Sequence, residues 1–230
     1  MLTQEAPYVI NNGISTRIIP ARHKNCFIYA WCYVIELAPF SAHERKSTTA
    51  MQEPFFKPWV GEDYRSQVPK TLVLGESHYG ISESYTPEFT QYVVKDWALC
   101  QRGSSPYFTK IAKILLSKPY EWISLEEKYK LWNRVAFYNY VQQFVSDRPR
   151  MRPTLEMWLE AEEALDYVIA QLTPDIVIVT GKELGYYVSS FEEKYIGPAK
   201  FCYWTHPSAR TFKKEDAIKA FEDVKRNYAN

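Results

Sequence analysis

Short apolar runs of strand character alternate with amphipathic stretches from residue 70 onward. Thr71-Leu-Val-Leu-Gly75 is a β-rich run closed by glycine, and Asp175-Ile-Val-Ile-Val-Thr-Gly181 is the clearest of its kind. Runs with no polar face predict strands buried on both sides, the habit of parallel sheets. Val135-Ala-Phe-Tyr-Asn-Tyr-Val141 and Lys200–Thr205 read as two more strands. Between them, apolar positions recur at helical spacing over 86–100, 105–118, 154–172, 183–190 and 214–228, with Gly103 and Pro106 separating the first two stretches. Ser124 followed three residues later by Glu127 predicts a capping box opening a further helix.

Strands alternating with helices require right-handed crossovers. The expected architecture is therefore α/β: a three-layer α/β/α sandwich around a mostly parallel four-stranded sheet. Residues 1–50 follow no sustained helical or strand period, although 27–35 has the composition of a strand. The expected organisation is a peripheral N-terminal extension over 1–50 and a catalytic domain over 51–230.

Composition narrows the function classes. The 230 residues carry 28 Lys+Arg against 27 Asp+Glu, so any nucleic-acid contact must come from a local patch. No apolar run approaches the ~18 residues of a membrane span. Aromatics reach 16%, a surplus that suits stacking on flat ligands as well as core packing. Cys26, Cys32, Cys100 and Cys202 contain no Cys-x-x-Cys pair, so no metal site is expected. Residues 1–25 lack the apolar segment of a secretory signal, which predicts a cytoplasmic protein with reduced thiols.

In open α/β sheets ligands bind beyond the carboxyl ends of the strands. The polar residues with chemical potential collect there. Gly75-Glu76-Ser77-His78-Tyr79-Gly80 reads as a tight turn carrying a carboxylate, a hydroxyl, an imidazole and a ring. Asn139 closes the second strand and offers both a donor and an acceptor, as reading a base edge requires. After the fourth strand, His206, Ser208 and Arg210 lie within five residues.

Leu72-Val-Leu-Gly-Glu-Ser-His-Tyr-Gly80, Val135-Ala-Phe-Tyr-Asn-Tyr140, Ile176-Val-Ile-Val-Thr-Gly181 and His206-Pro-Ser208 together resemble the uracil-DNA glycosylase superfamily, over roughly residues 55–230. The resemblance implies an enzyme that flips a nucleotide out of single- or double-stranded DNA and hydrolyses its N-glycosidic bond. It implies His206 as a neutral donor to the departing base and Asn139 as the base reader. Tyr79 would wall the pyrimidine C5 face. The best-known branch has Asp third in the first motif, where this chain has Ser77. Glu76, second in the motif, is then the expected carboxylate at the sugar, with Glu83 as the alternative. Ser77 joins Glu76 and His206 as a catalytic candidate, and His78 joins Asn139 and Tyr79 in base binding. With Ser77 and His78 in place of Asp and Pro, a larger C5 substituent fits, such as those of modified phage DNA. The four cysteines do not reproduce the spacing of the metal-cluster branches, so the resemblance points to a metal-free branch; no cofactor and a monomeric state are expected.

Arg148, Arg150, Arg152 and Arg210, with the Ser208 hydroxyl, are the expected contacts to DNA phosphates. Two rival classes remain. One is a hydrolase with Ser77 as nucleophile and His206 or His78 as base, although Tyr79 stands where a nucleophile elbow has its second Gly. The other is a nucleotide-binding module without catalysis, which a carboxylate facing the pocket argues against. No Gly-x-x-x-x-Gly-Lys or Gly-x-Gly-x-x-Gly occurs, against a phosphate-loop or dinucleotide enzyme.

Overall fold

A computed structural model of the chain describes residues 52–148 and 150–229, and the pairing of Ile10–Asn11 with Ile14–Ser15. The remainder of 1–50, with Cys26, Cys32 and the expected strand over 27–35, lies outside the described residues. The chain divides between Thr49 and Ala50 into two units, and the elements named below all belong to the second.

Five strands form its sheet: β1 (Trp59–Val60), β2 (Thr71–Gly75), β3 (Val135–Asn139), β4 (Ile176–Thr180) and β5 (Lys200–Trp204). Their order is β1-β3-β2-β4-β5. β1 runs antiparallel to β3, and the other pairings are parallel. The expectation of four strands is corrected by β1. That strand is two residues long and exists only through pairing with Phe137 and Ala136, so no local period announces it.

The central strands are buried at every position, as their unbroken apolar runs require. Helices cover both faces. On one, α4 (Leu155–Leu172) and α5 (Lys182–Glu192) pack Trp158, Leu165, Val168, Leu184 and Val188 against Leu72, Leu74, Tyr138 and Val179. On the other lie α1 (Phe89–Val93, continuing as a π turn through Ala98), α2 (Pro106–Leu115), α3 (Leu125–Trp132) and α6 (Lys214–Ala229). They enclose Val73, Phe137, Ile178 and Trp204.

Local sequence explains the helix starts. Ser124 and Glu127 form a reciprocal capping box on α3, and Thr154 accepts from the Met157 amide at the head of α4. No helix among the described residues is long and apolar enough to cross a membrane.

Topology locates the crevice. The chain leaves β2 for α1, α2 and α3 on one face, while neighbouring β4 leads to α5 on the other. Two adjacent strands whose connections depart to opposite faces part at their carboxyl ends, and ligands bind at such a switch point.

Candidate functional site

Glu76, Thr180 and His206 follow or end β2, β4 and β5, at one edge of the sheet. Thr180 donates its hydroxyl hydrogen to the Leu74 carbonyl at 2.8 Å. The Tyr107 hydroxyl, on the first turn of α2, then donates to Thr180 Oγ1 at 2.8 Å. Burial in this polar chain, and the charge of nearby Glu76, push the Tyr107 phenol well above its ordinary value. The fixed ring stacks on the His206 imidazole, centroids 5.1 Å apart and planes 28° from parallel.

His206 has a defined tautomer. Its Nδ1 accepts from the Ser208 backbone N–H at 3.2 Å, so in the neutral ring the proton stands on Nε2. Partial burial, with Arg152 and Lys110 nearby, lowers its pKa and favours that neutral form. Lys110 also donates to the Pro207 carbonyl at 2.7 Å, which ties this loop to α2.

Glu76 is largely buried, with 13% of its side chain exposed. Burial raises its pKa, and Arg152 opposes that rise. Nη1 of Arg152 donates to Glu76 at 3.1 Å while Nη2 pairs with Glu183, on the first turn of α5. Gly181, at φ 141°, turns the chain from β4 into that helix in a conformation open to glycine. Glu83 is exposed in the turn Ser82–Ser84 and accepts from Ser82, away from these partners.

The segment 75–80 departs from the expected tight turn. It stays extended beside residues 140–146, through Tyr140 N–H to Gly75 O, Val141 N–H to Glu76 O, Val145 N–H to His78 O and Gly80 N–H to Ser146 O. Backbone pairing continues past the sheet with a register slip: Gly75 lies opposite Asn139, but His78 lies opposite Phe144, so 140–146 holds two more residues than 75–80 between matching positions.

Asn139 anchors this extension. Its amide nitrogen donates to the Ser77 carbonyl at 2.9 Å and faces His78 Nδ1 at 3.0 Å. The Ser77 oxygen only accepts, which fixes the orientation of the amide. His78 Nδ1 must then accept, so Nε2 carries the proton and donates to Thr90 Oγ1 at 2.8 Å. Burial among Phe56, Phe89 and these partners drives the His78 pKa down to about 3. With both nitrogens occupied, His78 has none left to serve as a base.

The remaining predicted residues divide. The Tyr79 hydroxyl donates to the Met151 carbonyl at 2.9 Å, so its ring braces the loop before α4. Ser77 is half-buried and contributes its carbonyl to Asn139. Ser208 and Arg210 are exposed beyond His206, and Arg148 and Arg150 are exposed on the loop before α4. Tyr107, Thr180, Lys110 and Glu183 were not among the expected site residues. The position of Thr180 at a strand end was their only signal.

Two grooves of the described residues are not lined by Glu76, Tyr107 or His206. One, of about 400 Å³, runs between Gly80, Tyr85, Phe144 and Asp147. The other, of about 380 Å³, lies between Phe55, Tyr85, Gln142 and Met157. Among the described residues no three His, Cys, Asp or Glu side chains come together as metal ligands. No protein-family model matches the chain, and no curated protein shows significant similarity to it.

Proposed function

We propose that the chain is a DNA glycosylase of the uracil-DNA glycosylase-like type, acting on a flipped uracil-type or modified pyrimidine. The reading places it in base-excision repair or in defence against modified phage DNA, as a cytoplasmic monomer built on a three-layer α/β/α sandwich. The observation that carries the reading is His206: a neutral imidazole, its Nδ1 occupied by the Ser208 amide, with Nε2–H left to donate at the same strand edge as Glu76.

Cleavage of an N-glycosidic bond leaves charge on both fragments. The bond's electron pair departs with the base, and a hydrogen bond from His206 Nε2 to the pyrimidine O2 stabilises that anion. The sugar C1′ becomes cationic, where the Glu76 carboxylate lowers its energy and orients the attacking water. Water adds its oxygen to C1′ and the released proton passes to Glu76 or solvent. Asn139 has spent its amide hydrogens on Ser77 and His78, so only its carbonyl oxygen is left for a base. A lone acceptor pairs with an N–H such as uracil N3–H and not with the bare N3 of cytosine. Arg148, Arg150, Arg210 and Ser208 supply phosphate contacts at the rim.

Full-length protein incubated with single- and double-stranded oligonucleotides tests this. The substrates carry uracil, hypoxanthine, mismatched thymine or hypermodified cytosine, and abasic sites are the product scored. Excision of a uracil-type base that disappears in His206→Ala is expected. Folded protein that leaves every oligonucleotide intact overturns the reading.

A further inference from the structure

We propose that Arg152 is a positioning residue of the site rather than a phosphate contact: its guanidinium, shared between Glu76 and Glu183, holds the Glu76 carboxylate in place at the end of β2. Its consequence for excision rests on the glycosylase reading; the contact itself does not.

Arg152 joins three elements that the chain brings together from far apart. It stands on the loop before α4, Glu76 follows β2, and Glu183 opens α5. A planar guanidinium donates in two directions at once, which a lysine cannot reproduce from one point charge. Tyr79 braces the same loop through the Met151 carbonyl, next to Arg152. The guanidinium is therefore located by its backbone neighbour as well as by its two carboxylates.

An Arg whose charge is already matched by two carboxylates attracts phosphate weakly, because the cluster it belongs to carries no net positive charge even though further N–H donors of the guanidinium are unused. Its neighbours on the loop differ. Arg148 lies 3.9 Å from Asp147, an exposed pair of little strength. Charge also matters for Glu76 itself. The groups facing it are Arg152 from the loop, Glu183 from α5 beyond Arg152, and Tyr107 from α2, with His206 close to Arg152. Arg152 is the cation among them, so it opposes the burial that favours protonated Glu76.

The test uses full-length protein and three variants, Arg152→Gln, Arg152→Lys and Glu183→Gln. The Glu76 carboxyl is titrated by ¹³C NMR, assigned with Glu76→Gln. Binding of a uracil-containing duplex is measured against salt, and excision against pH. Arg152→Gln is expected to raise the Glu76 midpoint by about one unit or more and to leave the salt slope unchanged. The acid limb of excision moves up with the midpoint. Arg152→Lys restores part of the midpoint. An unmoved midpoint, or a salt slope reduced by about one, overturns the proposal and returns Arg152 to the phosphates. If Arg152→Gln does not fold, Glu183→Gln decides: freeing Arg152 for Glu76 alone lowers the midpoint, and a rise overturns the proposal. A shifted midpoint without excision in any protein removes the glycosylase reading and leaves the positioning role standing. Excision with an unmoved midpoint does the reverse.

Discussion

The side-chain amide of Asn139 donates to Nδ1 of His78 across 3.0 Å of buried space, and so settles which nitrogen of that ring carries the proton. With the amide oriented by the Ser77 carbonyl, this contact fixes the tautomer, and burial leaves the imidazole uncharged.

His78 makes stability depend on pH. In the unfolded chain the ring protonates near its ordinary value of 6.5, whereas burial holds the folded value at about 3. The folded state binds fewer protons between these limits, so its stability falls as pH falls from 6.5 toward 3. The slope from this group approaches ~1.4 kcal/mol per pH unit within that window. Urea unfolding at stepped pH should show the loss in wild type and a flatter profile in His78→Gln, which keeps polar groups for Asn139 and Thr90.

Gly75 is required for a steric reason. A Cβ at this position lies 2.1 Å from Asn139 Oδ1 and 3.1 Å from the Phe137 ring. Gly75→Ala should destabilise the protein by about 1–3 kcal/mol, the usual penalty for forcing atoms into a packed interior. Because the clash needs the Asn139 side chain, Gly75→Ala with Asn139→Ala should cost less than the two single changes summed. Chemical denaturation of the four proteins of the cycle measures the coupling. Strict additivity would remove the contact.

Much of this arrangement is visible in the sequence, and the invisible part has a common cause. The runs 71–75, 135–139 and 176–180 could be read as strands because central parallel strands are buried on both sides, and 200–204 because its aromatic and apolar residues follow the same spacing at the sheet's edge. Ser124 and Glu127 marked their helix because capping is local. β1 escaped notice because Trp59 and Val60 become a strand only against Phe137 and Ala136. Arg152 was legible as a cation but not as the partner of Glu76, 76 residues away. Tyr107 stands on the first turn of an amphipathic helix, and its partner Thr180 is 73 residues away in sequence.

His206 and Glu76 separate chemistry from binding. His206→Ala should lower single-turnover excision by about 10²–10³ while DNA affinity holds, since the lost hydrogen bond forms mainly as charge builds on the base. Glu76→Gln should slow cleavage similarly. It should also change stability with a definite sign. The folded carboxyl binds its proton more tightly than the unfolded one, so stability is lost as pH rises through the ordinary carboxylate range to the raised folded value. The melting temperature of Glu76→Gln relative to wild type should therefore be higher at pH 7 than at pH 4. An equal difference at both pH values would place Glu76 in water.

Arg148, Arg150 and Arg210 should carry the ionic part of DNA affinity. Each neutral substitution is expected to weaken binding uniformly across sequences and to reduce the salt slope by about one. Filter binding or anisotropy at two or more salt concentrations distinguishes this from a general loss of fold, which leaves the slope of residual binding unchanged.

The pairing of segment 75–80 with 140–146 ties the site's first wall to its neighbour at four backbone hydrogen bonds. The partner segment already holds two extra residues between Val141 and Val145, whereas one extra residue between Gly75 and His78 would move Glu76 from Arg152 or His78 from Asn139. Length changes among descendants of this chain should therefore collect in the exposed stretch after Ser146, and the spacing from Gly75 to Gly80 should stay at its present five residues. Diversification of this protein is then a matter of exchanging side chains on a wall of constant length.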